Sequence, residues 1–235
     1  TGLKAPKGFK EASLNKKLLP VKNFYPQHNR CGFTLAEVLI TLGIIGVVAA
    51  MTMPTLISNH RKSTISAKLK KFYTVMSQAV ILAEAEQGAS PSLWDSFSSR
   101  GNGEEMEAWF NKYLKKHLNV LNVTRSTGSV SVALNDGSGF VIFNHFQSVD
   151  SIHVYYCINF KKCTGEGTDG KNIFTFRFIN DKFSTYGEGT TLTIDELMSP
   201  SLDCSCSKEQ GYPHYCSTVL QKNNWEFPDN YPFKI

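Results

Sequence analysis

From Phe33 to Ile57 the chain reads FTLAEVLITLGIIGVVAAMTMPTLI, twenty-five residues holding a single ionisable group, Glu37. As a helix this run spans about 37 Å, enough to cross a hydrocarbon core of about 30 Å with some tilt. Beyond Pro54 the pattern changes. Ile65, Leu69, Phe72, Met76, Ala79 and Ala83 recur in alternating steps of four and three, which predicts an amphipathic helix stopped by Gly88 and Pro91. Joined to the apolar run it predicts one helix from about Phe33 to Gln87, roughly 80 Å long if continuous.

A Ser/Gly-rich loop over 89–103 leads into a second predicted helix, Glu104–Val120. There Met106, Trp109, Phe110, Tyr113, Leu114 and Leu118 share a face, and Glu104, Glu105 and Glu107 crowd the end where the helix dipole favours anions. Strand patterns follow at Ser129–Leu134, Phe140–Phe146, Ile152–Phe160, Asn172–Asn180 and Lys182–Tyr186, punctuated by turn residues such as Asn135-Asp136-Gly137-Ser138-Gly139. A long helix, a short helix and then antiparallel strands predict an α+β fold, with the sheet laid over the second half of the long helix.

Charge sharpens the reading of the first segment. The chain of 235 residues has a formal net charge of +5, but residues 1–32 hold seven basic groups and one acid, leaving 18 basic and 19 acidic groups beyond them. The basicity therefore belongs to the tail before the apolar run, where Lys and Arg hold an N-terminus on the cytoplasmic side of a membrane. It is not the distributed basic surface of a nucleic-acid-binding protein. A core helix of a soluble protein is a poor account of so long an apolar run beside a basic flank.

Glu37 asks for a partner, since a carboxylate central in such a segment costs about 2.5–3.5 kcal/mol to insert. It either reaches water from one turn inside the boundary or pairs with a cation from another chain. The string Gly32-Phe33-Thr34-Leu35-Ala36-Glu37, behind a basic leader and ahead of an apolar helix interrupted by Pro54, resembles the processing site of type IV pilins and type II secretion pseudopilins. The resemblance covers about residues 30–60. It implies a prepilin peptidase that cuts between Gly32 and Phe33 and methylates the new terminus, with Glu37 and Pro54 serving assembly. Three segments follow from it: a leader over 1–32, a transmembrane and assembly helix over 33–57, and an exported pilin-like domain over 58–235. The chain opens on Thr1 rather than Met, and the start of the leader is expected upstream. Cleavage by ordinary signal peptidase after Val48-Ala49-Ala50 would leave the setting of Glu37 unexplained. Lipoprotein processing at Cys31 fails because the apolar stretch follows that cysteine. Gly43, Gly46, Ala49 and Ala50 could permit close helix approach.

Removing the leader takes Cys31 and leaves Cys157, Cys163, Cys204, Cys206 and Cys216 in a compartment where disulfides persist. Cys157 and Cys163 flank a short connection and are expected to close it. Cys216 is expected to pair with Cys204 or Cys206, since a Cys204–Cys206 bridge would be strained. Cys204, Cys206, His214 and Cys216 also have zinc-ligand chemistry, but in no familiar finger spacing and in an oxidising setting. Glu166 and Asp169, in a Gly-rich stretch, could offer oxygens to calcium, although a hairpin turn explains the same residues. No other cofactor is expected.

There is no nucleophile elbow, phosphate-binding loop or His-Glu-x-x-His. His117, His145 and His153 read as structural or exposed, and Asp136 and Ser138 as a turn. The expectation is a non-enzymatic minor pilin or pseudopilin, held in the inner membrane with its N-terminus cytoplasmic. Its partners would be the peptidase, other subunits and an assembly platform, and no nucleic acid is expected. The competing expectation is a membrane-anchored exported binding protein that never polymerises.

Overall fold

A computed structural model describes residues 32–163, 165 and 167–235. The chain divides into two compact units at Val48 and Ala49. Helix α1, Leu35–Gln87, opens in the first and supplies the first element of the second. Within the first unit the described residues are Gly32, Phe33, Thr34 and the opening turns of α1.

In the second unit α1 buries Ile65, Leu69, Phe72, Met76, Ala79, Val80 and Ala83, none more than 4% exposed. The stripe spacing of four and three keeps these side chains on one face, and a sheet covers that face. Its strands are β1 (Val120–Arg125), β2 (Val130–Leu134), β3 (Gly139–Asn144), β4 (Ile152–Cys157), β5 (Ile173–Ile179) and β6 (Lys182–Thr185). They pair in sequence order and antiparallel throughout. The register aligns Phe140 with Tyr156 and Tyr156 with Phe174, and sets Val154 beside Phe176. A band of aromatics therefore faces α1. The Phe72 ring stacks on Tyr156 at 4.0 Å between centroids and lies 5.4–5.7 Å from Phe140, Phe176 and Phe183.

The opposite sheet face has a smaller apolar cluster of Val141, Phe143, Tyr155, Cys157 and Ile173, with Cys163 against it. Burial on both faces explains why β3 and β5 read as nearly unbroken apolar runs. The β5–β6 hairpin turns through Asn180 and Asp181, both at positive φ, the two-residue geometry that matches strand twist.

Helix α2, Gly103–Tyr113, begins where the Asn102 side chain accepts the N–H groups of Glu104 and Glu105. Its aromatic face packs on the core, with Trp109 edge-on to Phe178. Gly103 is required here, because a Cβ would meet the Ser126 carbonyl. The helix ends well before the expected Val120. A short 3₁₀ turn follows, and Val120–Arg125 forms strand β1, which the sequence pattern did not announce. The register shifts between Val120 and Asn122, and this irregularity removes the period-two alternation that marks a strand. Two other short helices also went unannounced: α3 (Ile194–Leu197) and α4 (Cys216–Lys222). The remaining strands begin and end within three residues of their expected limits.

Two disulfides join Cys157 to Cys163 and Cys206 to Cys216, with Cα separations of 5.7 and 4.6 Å. Cys204 is a free thiol. The last residues return to the core: Tyr231 donates its hydroxyl to the Gly170 carbonyl, and Ser58 of α1 donates to the carbonyl of Ile235. The whole is an α+β, pilin-like architecture.

Replacing Phe72 by Ala should leave a cavity under four aromatic rings and cost about 3–5 kcal/mol. For a chain of this size that lowers the unfolding midpoint by roughly 10 °C. Thermal unfolding of the full chain in detergent, followed by circular dichroism, measures it; an unchanged midpoint would mean that the Phe72 contacts do not support the core.

Candidate processing and assembly site

Gly32, Phe33 and Thr34 are exposed and non-helical, and α1 starts immediately after them at Leu35. The start is built by two side chains. Thr34 donates both its backbone N–H and its hydroxyl to Glu37 Oε2, at 2.8 and 2.9 Å, while Glu37 donates its N–H to Thr34 Oγ1 at 3.2 Å. The Thr34 carbonyl accepts the first helical bond, from Val38. This reciprocal arrangement is a capping box, in which a Ser or Thr and an acid three residues later satisfy each other's orphaned donors. It also puts a carboxylate at the positive end of the helix dipole.

The cap gives Glu37 a local role that neither reading from the sequence contained. The signal was present, since Thr34-Leu35-Ala36-Glu37 ahead of an apolar run fits the capping pattern. Both donors of Thr34 converge on Oε2, leaving Oε1 for a further donor.

Among the described residues, nothing buries the most apolar window of α1. Leu39, Ile40, Leu42, Ile44 and Ile45 are each about 60% exposed, a state that water would penalise heavily. Its mean hydropathy of 2.2 and its length suit a membrane crossing. In the second unit α1 continues through Pro54, which has no N–H to offer the Ala50 carbonyl. The leader and Cys31 lie outside the described residues.

The other residues singled out from sequence are engaged in structural contacts. The sulfurs of Cys206 and Cys216 are bonded to each other, and His214 turns to Thr175, whose hydroxyl lies 2.9 Å from its Nδ1. Asp169 accepts the backbone N–H groups of Lys171, Asn172 and Ile173. Burial opposes its charge, but these bonds outweigh it and hold its carboxyl below the usual range. Glu166 lies outside the described residues. Asp136 closes the β2–β3 turn by accepting from Ser138 and from Lys71. Against the cost of burial, those donors keep its carboxyl at about 2. Burial lowers the pKa of His117, which lies 3.5 Å from Glu86.

Residues 27–53 match the prokaryotic N-terminal methylation motif, the prepilin-type cleavage and methylation segment of type IV pilins and pseudopilins. The chain is thus a pilin-like precursor by class. Residues 55–235 match a family of unknown function, DUF6613, and the chain belongs to that family. No curated protein and no solved structure matches it.

Thr34→Ala removes the cap and should weaken the helix start by about 1 kcal/mol. The amides of Thr34 and Glu37 should then exchange roughly fivefold faster in micelles. Glu37→Gln, which retains an acceptor, should change them less. Equal exchange in all three chains would reject the capping box.

Proposed function

We propose that this protein is a minor pilin or pseudopilin, cut after Gly32 and assembled through its N-terminal helix into a type IV pilus or secretion pseudopilus. The observation that carries the reading is the junction itself. An exposed Gly32-Phe33 peptide stands directly ahead of the capped start of an apolar helix whose most apolar window none of the described residues buries. A peptidase needs an extended segment to grip, and the cap ends the helix one residue beyond the scissile bond. The uncovered helix anchors the subunit in lipid first and then packs against its neighbours.

Cutting after Gly32 creates an ammonium on Phe33. Oε2 of Glu37 serves Thr34, and Oε1 can take that ammonium or the one from an adjacent subunit. Pairing removes an uncompensated charge from an apolar surrounding. The two disulfides suit the exported side of a membrane. The role is structural; the partners are the prepilin peptidase, sister subunits and the inner-membrane assembly platform.

Intact-mass and N-terminal analysis of protein from the native cell should find a chain beginning at N-methylated Phe33. A terminus at Met51 would replace this reading with ordinary secretion.

Assembly is tested separately. Glu37→Ala and Glu37→Gln should insert at least as well as the parent, because an expensive charge is gone. Incorporation should fall, since losing the partner of a buried ammonium costs about 3–5 kcal/mol. Membranes are compared with sheared surface fibres or co-purified pseudopilus partners. Normal incorporation of the alanine variant would instead favour a membrane-anchored binding protein that does not polymerise.

A further inference from the structure

On the sheet face turned away from α1, Arg177 of β5 stands beside His153 of β4, its partner in the strand register. Two further imidazoles join them: His145, which follows β3, and His214, which precedes α4. The ring centre of His153 lies 4.1 Å from that of His145 and 5.8 Å from that of His214. The Arg177 guanidinium lies over the Tyr186 ring at 5.2 Å, and Tyr186 stacks on His214 at 4.6 Å. All five residues line one open groove.

The guanidinium has no counter-ion. No carboxylate among the described residues lies within ion-pairing distance of it, and its Nε–H is buried without an acceptor. Buried donors in folded proteins almost always have acceptors, and a charged one is the costliest to leave without. Stacking on Tyr186 holds the guanidinium by its face, which leaves its N–H edges to grip an oxyanion.

We propose that this groove binds a phosphate-class oxyanion through Arg177. Binding there leaves the imidazoles as the fold orients them. Tyr155 Oη lies 3.3 Å from His145 Nε2 and 3.4 Å from His153 Nδ1, and Thr175 Oγ1 lies 2.9 Å from His214 Nδ1. Each ring keeps a second nitrogen that bonds no other described residue. Polar groups thus reach the groove from three segments: the β3–β4 connection, the β4–β5 pair and the stretch before α4. A carboxylate would spend both oxygens on the guanidinium fork, whereas a phosphate keeps oxygens for the other two segments.

Burial, with the neighbouring imidazoles, lowers the pKa of His153 to about 3 and of His214 to about 4; burial and Arg100 lower that of His145. These two most buried rings are therefore neutral near pH 7, and Arg177 supplies the groove's permanent positive charge. Asp150, also in the lining, opposes an anion.

The test uses the full chain in detergent, purified in phosphate-free buffer. Calorimetric titration with sodium phosphate at pH 7 and fixed ionic strength should show one saturable site. Arg177→Gln should weaken it by more than about tenfold. Arg177→Lys, which keeps the charge but not the fork, should also weaken it. Asp150→Asn should tighten it, because a repelling charge is gone. Arg125→Gln, on β1 at the edge of the sheet, should leave it unchanged. Glycerol 3-phosphate, titrated in parallel, separates an ester ligand from the free ion by which of the two binds more tightly. Acetate should give no saturable heat. Circular dichroism on every variant separates loss of ligand from loss of fold. If both Arg177 variants unfold, Asp150→Asn decides, tighter binding supporting the site and unchanged binding rejecting it. No saturable phosphate binding by the parent, unchanged affinity in the folded Arg177 variants, or equal binding of acetate overturns the proposal.

Discussion

Phe72 is the point at which helix and sheet become one core. A single helical stripe cannot exclude water alone, and an antiparallel sheet needs something laid over at least one of its faces. Phe72 projects from the stripe into the aromatic band, where the register has already placed Phe140, Tyr156 and Phe174 side by side. Other elements attach to the same band. Trp109 of α2 meets Phe178, and Trp225, beyond α4, stacks near Phe176. Phe72, Phe140, Tyr156, Phe176, Phe183 and Trp225 thus meet in one contact layer.

The second sheet face has a different chemistry. Near Cys157 it is apolar and covered by the loop that Cys163 closes. Toward His153 and Arg177 it becomes polar, and the segment held by the Cys206–Cys216 bond brings His214 over it. The bond and the α4 contacts fix a part of the chain that has little regular structure of its own. That ordering brings residues of three distant segments together over β4 and β5.

The N-terminal segment poses the opposite problem, because none of the described residues buries its most apolar window. An apolar helix without a buried face must find its partner outside the molecule, in lipid or in other helices. Thr34 and Glu37 close its start with bonds that depend on four consecutive residues alone. The cap therefore needs no tertiary packing to form.

Whatever depends on local periodicity was legible in the amino-acid sequence. The apolar run, the stripe from Ile65 to Ala83, the helix face around Trp109 and five of the six strands could all be read from spacing, as could the resemblance at Gly32 to Glu37. The limits of reading were equally specific. Strand β1 lost its alternation to a register shift set by pairing with β2, and the helix before it ended at Tyr113, a 3₁₀ turn short of that pairing. Cys216 had two candidate partners at similar separations, and only the folded path of the C-terminal segment brought Cys206 to it. His145, His153 and His214 looked unrelated because their proximity depends on strand order and on where α4 docks. Local sequence determines which face of an element is apolar, since backbone geometry alone sets the period; which distant side chains meet is decided by packing, a property of the whole chain.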